Sequence, residues 1–403
     1  MNRRKFVKTA GSSMLLAASY NCVPGANDRL GVALIGSGRR GRSVMDLMLK
    51  TGRAELVGLC DVYDVQRRRA REALLKRGEK VFETADVEEM LARSGVDAVL
   101  IATPDHLHYG IALKALEAGK HLYLEKPVTH SYNQGPPLRD AVRKSGVVCQ
   151  TGIQQRSGKL YKRAKEEIFD RKKLGDIIFV RAVWSDFAWQ RRTIEPRPRP
   201  AGLDWERFIG PAPEVPYQWA RYDAWRNYRD YGNGILADLL THWADVAQWM
   251  MDDEEPLNAV ATGGIYHLED GRENPDTVNA VLKYRGGWNL TFECTIMPVN
   301  VDRDSVLFLG TEGSLELFRE GYIYTPHKGK AQRIDADADL TAEHVNDFFD
   351  AIKYGREPSA NIEIGLEASR PAYLAVAAYW NGERMRFNGD RTAIERLSQT
   401  GPL

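Results

Sequence analysis

Apolar runs of strand length alternate with amphipathic segments along the first third of the chain. Buried strands are predicted by the runs at Leu30–Ile35, Ala54–Cys60, 97–103, 121–125 and 147–151. Helical apolar spacing follows residue 41 and recurs at 106–118 and 138–144. Strands and helices that alternate in this way build a doubly wound parallel sheet, with ligands beyond the carboxyl ends of its strands.

The remainder of the chain predicts a second α/β domain. Its strands are expected at 258–266, 278–284, 288–296, Ser305–Gly310, Gly313–Phe318 and 322–324, and its helices at 235–251, 344–354 and 364–380. We therefore divide the chain into a leader at 1–26, a first α/β domain at 27–150 and a second at 151–403.

Composition and charge agree with two globular domains. The 403 residues exceed what one core usually serves, and 43% hydrophobic with 28% charged residues is ordinary globular usage. A net charge of +1 provides no field for nucleic acid or an anionic membrane, so neither is expected as a partner.

The first 26 residues resemble a twin-arginine (Tat) export signal. Arg3-Arg4-Lys5-Phe6 precedes a weakly apolar stretch at 14–18 and a plausible cleavage region at 24–26. We expect the Tat machinery as a partner and a periplasmic or extracellular location. The apolar stretch is far shorter than the roughly 20 residues that span a bilayer, so stable membrane insertion is not expected.

The cysteines predict packing rather than chemistry. Cys60, Cys149 and Cys294 fall in apolar, strand-like runs, and no C-x-x-C spacing occurs. We predict neither a metal site nor a disulfide framework.

A glycine-rich turn follows the first strand and predicts a dinucleotide site. It comprises Gly36, Ser37, Gly38, Arg39, Arg40 and Gly41. The first glycine permits a tight turn, the second admits a pyrophosphate, and the third allows close helix packing. Asp61, which ends the second strand, is placed to bind ribose hydroxyls and favours NAD. Arg39, Arg40 and Arg42 could bind a 2′-phosphate, so NADP stays open.

Two further motifs end later strands of the same sheet. Thr103-Pro104-x-x-x-His108 and Glu125-Lys126-Pro127 should both face the cofactor. Oxidation of a carbinol carbon needs a base beside the nicotinamide, and Lys126 is the candidate, with its pKa depressed by the cationic ring. Glu125 could orient the lysine or the cofactor. The alternative is a surface Glu-Lys pair before a proline.

A polar stripe lies on the helix predicted at 235–251. Asp238 and His242 are four residues apart and share one helix face, where they could bind adjacent hydroxyls and relay a proton. Asp245 is expected to be a structural partner or cap. The alternative reading of this stripe is a set of satisfied polar residues without a ligand.

Together, the glycine turn, the two strand-end motifs and Asp238-x-x-x-His242-x-x-Asp245 resemble the Gfo/Idh/MocA oxidoreductases, over essentially the whole chain after the leader. The resemblance implies a Rossmann domain, a C-terminal α/β domain with an open, mostly antiparallel sheet that often forms an oligomer interface, and sugar or cyclitol substrates. It also implies that Asp238 and His242 line the substrate site beside Lys126. Leu240 and Asn233 depart from the glycines usual in the family, which concerns substrate shape.

The stretch from Trp184 to Tyr231 is rich in aromatic residues and arginines, and much of it is expected to be loop. It predicts either a carbohydrate or uronate cleft or a subunit interface. Gln150, Gln154, Gln155 and Arg156 follow the last strand of the first sheet and could contact sugar hydroxyls; Gln154, Arg156 and Tyr231 are the substrate-binding candidates.

These features predict a sugar oxidoreductase that uses NAD or NADP. Export without a pool of free cofactor favours a tightly bound cofactor and redox-neutral turnover. An alternative is an NAD-dependent glycoside hydrolase that acts by transient oxidation and elimination. A further alternative is a sugar-binding scaffold without activity, against which Lys126, Asp238 and His242 argue.

Overall fold

The computed structural model describes residues 29–76, 78–185, 195–296 and 304–397. The predicted leader at 1–26 lies outside these residues. In the described ranges, no helix is both long and apolar enough to cross a bilayer.

The N-terminal part of the chain forms a six-stranded parallel sheet with the strand order 3-2-1-4-5-6. Its strands are β1 (Leu30–Ile35), β2 (Ala54–Cys60), β3 (Phe82–Thr84), β4 (Ala98–Ile101), β5 (His121–Leu124) and β6 (Cys149–Thr151). Its helices are α1 (Arg39–Lys50), α2 (Asp64–Leu74), α3 (Val87–Leu91), α4 (Asp105–Glu117) and α5 (Gly135–Ser145). The doubly wound prediction is confirmed. The order reverses between β1 and β4, which opens a crevice at their carboxyl ends.

The segment that follows contains short helices and one long strand. They are α6 (Lys159–Ala164), a π-helical turn at Lys165–Phe169, β7 (Ile177–Ser185), α7 (Trp205–Ile209), α8 (Trp219–Asp223) and a 3-10 turn at Trp225–Asn227. A 3-10 turn at Gln154–Ser157 joins the segment to β6. Trp184, the first residue of the stretch that was expected to be largely loop, lies inside β7, a central strand of the second sheet.

A ten-stranded sheet forms the second half of the structure, in the order 14-13-12-11-7-10-9-8-15-16. After a π-helical turn at Leu236–Leu240 come α9 (Thr241–Met251), β8 (Pro256–Gly264), β9 (Thr277–Tyr284), β10 (Asn289–Thr295), β11 (Ser305–Gly310), β12 (Gly313–Phe318), β13 (Gly321–Pro326), β14 (Gln332–Asp335), α10 (Leu340–Tyr354), α11 (Ile362–Asn381), β15 (Met385–Phe387) and β16 (Ile394–Arg396). Strands β7 and β10 pair in parallel, and the other recorded pairs are antiparallel. The mostly antiparallel sheet is therefore confirmed.

One face of the second sheet carries the core of this half. Alternate residues of β9, among them Val278, Ala280 and Leu282, are buried, and they pack in the same cluster as Trp243 of α9. The neighbouring outward residue Val281 is exposed. The buried face fixes α9 against the sheet and so holds the preceding π-helical turn near the first domain.

The C-terminal helices return to the first sheet. Val345, Phe348 and Phe349 of α10 are buried in the cluster that contains Val32 and Leu34 of β1. Residues close to the C-terminus thus complete the core of the N-terminal sheet. The domain boundary at residue 150 remains a prediction from the sequence, since residues beyond it pack in the core of the first sheet.

Candidate active site

A cavity of about 1280 Å³ opens at the carboxyl ends of β1, β2, β4 and β5 and extends to the π-helical turn before α9. It is lined by twelve of the residues predicted from the sequence: Gly36, Gly38, Arg39, Arg40, Asp61, Thr103, Pro104, Glu125, Lys126, Gln154, Asp238 and His242. Residues more than a hundred positions apart are thus brought to one site.

The glycine turn at one end of the cavity leaves space for a ligand. Gly36 has a φ of +90°, and a Cβ there would lie 2.6 Å from backbone atoms of Ala102 and Thr103. A Cβ on Gly41 would lie 2.2 Å from the carbonyl oxygen of Gly36, so helix α1 packs closely on the turn. A Cβ on Gly38 would meet no protein atom within 4 Å. Because α1 has no side-chain cap, its first N–H groups are available to a pyrophosphate.

Asp61 closes the next part of this site. Its Oδ2 accepts a hydrogen bond from the Ser37 N–H at 2.7 Å, and its Oδ1 accepts one from the Tyr63 N–H at 2.9 Å. Burial raises the pKa of Asp61 to about 6, although both backbone donors oppose the rise. Arg42 donates to the carbonyl oxygen of Ser37 at 2.7 Å and to Gln66 Oε1 at 3.1 Å, so its guanidinium helps to hold the turn. A carboxylate at this strand end fits the ribose of NAD.

The ends of β4 and β5 are linked behind the cavity by His108. Its Nδ1 lies 2.8 Å from the carbonyl oxygen of Pro127, and its Nε2 lies 3.0 Å from that of Thr103. The ring is buried and stands behind the cavity wall. The Lys126-Pro127 peptide bond is cis. His108 therefore positions the two strand-end motifs.

A charged pair joins the glycine turn to the lysine motif. Arg40, on the first turn of α1, donates from Nε to Glu125 Oε1 at 2.6 Å. The other carboxylate oxygen of Glu125 accepts from the backbone N–H of Lys126 at 3.3 Å. This arrangement uses Arg40 as the partner of Glu125.

Lys126 and Asp238 form the central ion pair of the cavity. The Lys126 ammonium contacts the Asp238 carboxylate and donates to the Asp238 carbonyl oxygen at 2.8 Å. Arg226 lies 3.3 Å from the second carboxylate oxygen. Burial opposes ionisation of Asp238, but the charges of Lys126 and Arg226 outweigh it and hold the pKa of this carboxyl below its usual range.

His242 lies beside this pair as a neutral imidazole. Burial, with the nearby charges of Lys126 and Arg319, places its pKa well below the usual value. Its Nδ1 is 3.2 Å from Gln155 Oε1, a contact that suits the tautomer with the hydrogen on Nδ1 and a lone pair on Nε2. Trp184 packs against the ring, with centroids 5.6 Å apart.

The segment that carries Asp238 departs from the predicted regular helix at 235–251. Residues Leu236–Leu240 form a π-helical turn, and the α-helix begins at Thr241. Such turns occur mostly as short insertions and are frequent at functional sites. No signal in the apolar periodicity distinguishes this turn from an α-helix.

Two predicted substrate-binding residues lie away from the cavity lining. Arg156 is buried in an ion pair with Asp245, at 2.9 Å between Nη2 and Oδ1. Asp245 is thus a structural partner, as expected. Tyr231 is buried between His106 and Phe208, each at a centroid distance of 5.1 Å. Both residues pack the surroundings of the site.

The described part of the aromatic-rich stretch, residues 195–231, forms an arm across the first domain. The Asp204 N–H donates to the carbonyl oxygen of Val62 at 2.8 Å, and Arg207 pairs with Asp86 at 2.7 Å. Most aromatic side chains of the arm pack with one another, as Trp205 and Phe208 do at 5.2 Å. Trp189 lies outside the described residues. The described arm is therefore largely a small hydrophobic core of its own.

Among the cavity residues that were not named from the sequence as site residues are Asp105, Trp184, Arg226 and Arg319. Asp105 directly follows Thr103-Pro104 at a strand end, so the strand-end rule was a sufficient signal. Arg319 lies between β12 and β13, and its sequence neighbourhood contains no such signal.

Comparison with known proteins agrees with both halves of the fold. Residues 30–153 match the model of an oxidoreductase family with an NAD-binding Rossmann fold. Residues 161–316 match the model of the GFO/IDH/MocA C-terminal domain. The two matches adjoin each other along the chain and contain Lys126, Asp238 and His242.

Similarity to individual proteins is distant. Levoglucosan dehydrogenase from Pseudarthrobacter phenanthrenivorans is 26% identical over 59% of this chain, and the match spans about half of that enzyme, 53%. Myo-inositol 2-dehydrogenase from Thermotoga maritima is 25% identical over 85% of this chain and 94% of its own length. The crystal structure of aldose-aldose oxidoreductase from Caulobacter crescentus aligns with a TM-score of 0.69 at 18% identity, over 89% of this chain and 99% of that one, which shows a common fold.

Proposed function

The chain belongs to the GFO/IDH/MocA oxidoreductase family, and on this premise we propose that it transfers hydride between a CH–OH carbon of a sugar derivative and NAD. The single observation that carries the proposal is the convergence of Lys126, Asp238 and His242 in the cavity that begins at the glycine turn. The relatives named levoglucosan dehydrogenase and myo-inositol 2-dehydrogenase support a polyhydroxylated substrate.

NAD is the cofactor that fits the residues of the Rossmann end. The open space at Gly38 and the uncapped start of α1 would hold the pyrophosphate, and Asp61 would accept from the ribose hydroxyls. A buried carboxylate at this position disfavours the additional phosphate of NADP. Arg42, one of the arginines near it, already holds the glycine turn.

The polar residues of the cavity divide the proton transfer between them. When bound, NAD supplies the hydride acceptor. As the ammonium partner of Asp238, Lys126 can donate a hydrogen bond to the substrate oxygen and stabilise negative charge there, but it has no lone pair. The Nε2 of His242 has one, so His242 accepts the hydroxyl proton and Gln155 holds its ring in that tautomer.

We further propose that the cofactor remains bound between turnovers. The arm at 195–231 contributes to the cavity wall through Asp204, Arg207, Phe208 and Tyr222, and is fastened to the first domain at Val62 and Asp86. Export by the Tat route, expected from residues 1–26, would demand such retention, because a folded protein would have to carry its cofactor with it.

We propose that the outward face of the second sheet forms a homo-oligomer contact. Ile178, Val260 and Val281 are exposed apolar residues on strands β7, β8 and β9. Light scattering of the purified protein tests this, with Val281→Lys expected to dissociate the oligomer. A monomeric wild-type protein would contradict it.

Mass spectrometry of the nucleotide released on denaturation tests the cofactor proposal. Protein purified without added cofactor should release NAD or NADH in near-stoichiometric amount; an empty protein contradicts retention. The reaction is then tested with a panel of sugars by absorbance of the reduced cofactor. Deuterium uptake from solvent at the sugar C2 would instead indicate the elimination route of a redox-neutral glycosidase, since direct hydride transfer gives none.

A further inference from the structure

Arg319 is a cation of the cavity that the proposed reaction does not use. It follows β12, is half-buried, and lines the cavity with Trp184 and His242. Its Nε is buried and has no hydrogen-bond partner among the residues that the structure describes. Among these described residues, no carboxylate forms an ion pair with Arg319.

Trp184 determines where this guanidinium lies. The Arg319 guanidinium carbon is 5.1 Å from the centroid of the Trp184 ring. The same ring is 5.6 Å from His242. Arg319 and His242 therefore both lie close to one tryptophan and line the same cavity, and the charge of Arg319 contributes to the lowered pKa of His242.

The other cations near Arg319 have carboxylate partners. Arg40 pairs with Glu125, while Lys126 and Arg226 share Asp238. The carboxyl groups of Asp105 and Asp223 line the cavity as well, but among the described residues neither forms a recorded ion pair with Arg319. Burial and the charge of Asp238 raise the pKa of Asp105 well above its usual value.

We propose that Arg319 binds a carboxylate of the substrate, which makes the preferred substrate a sugar acid such as a uronate. A guanidinium that stacks on an aromatic ring keeps the N–H groups at its edge available. Its planar fork matches the two oxygens of a carboxylate, and such charge-assisted pairs are the strong hydrogen bonds of proteins. A half-buried cation that has no counter-ion among the described residues gains most from a ligand that supplies one.

The inference names the substrate class for the proposed oxidoreductase site, and binding tests it separately from catalysis. The probes are D-glucuronate and D-galacturonate, each against its neutral aldose, titrated into NAD-loaded protein by calorimetry. At least one acid should bind about tenfold or more tightly than its aldose, as expected for a charge-assisted hydrogen bond. The proposal is overturned if neither acid binds better than its neutral counterpart.

Two variants assign the preference to Arg319. Arg319→Gln should lose about tenfold or more in affinity for the acid and much less for the aldose, whereas Arg319→Lys keeps the charge and should lose less. The matched control is Arg333→Gln, since Arg333 also lies over an aromatic ring, that of Phe318, at 5.1 Å, but stands outside the cavity. Equal losses for acid and aldose in Arg319→Gln would overturn the assignment.

Thermal unfolding shows whether each variant is folded, and Arg319→Lys keeps the test valid if Arg319→Gln is not. The outcome is distinguishable from failure of the proposed function. A sugar acid that binds through Arg319 without reducing the cofactor would refute the oxidoreductase reaction and leave this inference intact. Oxidation of neutral sugars alone would support the oxidoreductase reaction and refute this inference.

Discussion

The two ends of the cavity are built by different means. At the cofactor end, the chain backbone makes the site: the turn at Gly36, the open space at Gly38 and the start of α1 follow one another within a few residues. At the substrate end, side chains make it, and Lys126, Trp184 and Arg319 come from different sheets and loops. A backbone site is encoded locally, whereas a side-chain site exists only after the chain has folded.

The largest expected effect is that of Lys126→Ala, which should impair the substrate end of the cavity and leave the cofactor end intact. The variant removes the hydrogen-bond donor to the substrate oxygen, so turnover should fall by about 10²- to 10³-fold. NAD should remain bound, and the fold should survive because Arg226 still compensates Asp238. Steady-state kinetics and nucleotide mass spectrometry measure both. Lys50→Ala, at an exposed lysine of α1 paired with Asp46, is the control. Turnover close to that of the wild type would remove Lys126 from the mechanism.

Two glycine substitutions should distinguish helix packing from cofactor binding at the cofactor end of the cavity. Gly41→Ala places a Cβ 2.2 Å from the Gly36 carbonyl oxygen, so the apo protein should lose about 1–3 kcal/mol of stability. Gly38→Ala meets no protein atom and has an extended φ of −65° and ψ of −177°, so its apo stability should be unchanged. Its affinity for NAD should nevertheless fall, because the methyl group occupies space needed by the pyrophosphate.

Melting temperatures of the apo proteins and NAD titrations distinguish the two variants. A stable Gly41→Ala protein would mean that α1 can move away from the turn. Undiminished NAD affinity in Gly38→Ala would place the pyrophosphate elsewhere.

Two strands of the first sheet could be predicted residue by residue, whereas strand β3 and helices α2 and α3 were not predicted. The strands Leu30–Ile35 and Ala54–Cys60 are observed with the predicted limits, because fully buried parallel strands are continuous apolar runs with polar residues at their ends. Strand β7 was missed, and the short strands β14, β15 and β16 were missed as well. Pairing with the distant strands β10 and β11 defines β7, whereas β14 and β16 are short strands that pair with their sequence neighbours β13 and β15.

The site residues show the same difference between local pattern and long-range packing. Gly36, Asp61 and Lys126 each lie at or just after the end of a predicted strand, and the structure brings them into one cavity. Arg156 was predicted there because it follows β6, yet its guanidinium is buried against Asp245. Arg319 could not be predicted, since its place depends on the register of β12 against β11 and β13.

Binding of NAD should depend on pH through Asp61. Burial raises the pKa of this carboxyl to about 6, so it keeps its proton up to that pH in the free protein. Ribose hydroxyls donate to the ionised form, and affinity should therefore rise with pH through about 6 and level off above it. Below the pKa, the loss approaches tenfold per pH unit. The Asp61→Asn variant should bind NAD weakly, and its affinity should not change with pH in this way. NAD titrations of apo protein at several pH values measure it, and an equal slope in the variant would assign the dependence to another group.

The smallest effect is expected at the substrate end, from Asp105→Asn. Burial and the charge of Asp238 raise the pKa of Asp105 well above its usual value, so the folded protein favours the neutral acid, which asparagine resembles in shape. Activity should stay within about tenfold, a change of about 1.4 kcal/mol. A raised pKa means that the wild-type protein loses stability as pH rises through it, whereas the variant does not.

The difference in melting temperature between Asp105→Asn and wild type should therefore grow in favour of the variant as pH increases. Asp238→Asn is the contrasting change, because it leaves Lys126 and Arg226 without their carboxylate and should impair both stability and turnover. If Asp105→Asn instead behaved like Asp238→Asn, Asp105 would be ionised in the folded protein. The positive charge of the substrate end would then be partly compensated, and the case for an acidic substrate at Arg319 would weaken with it.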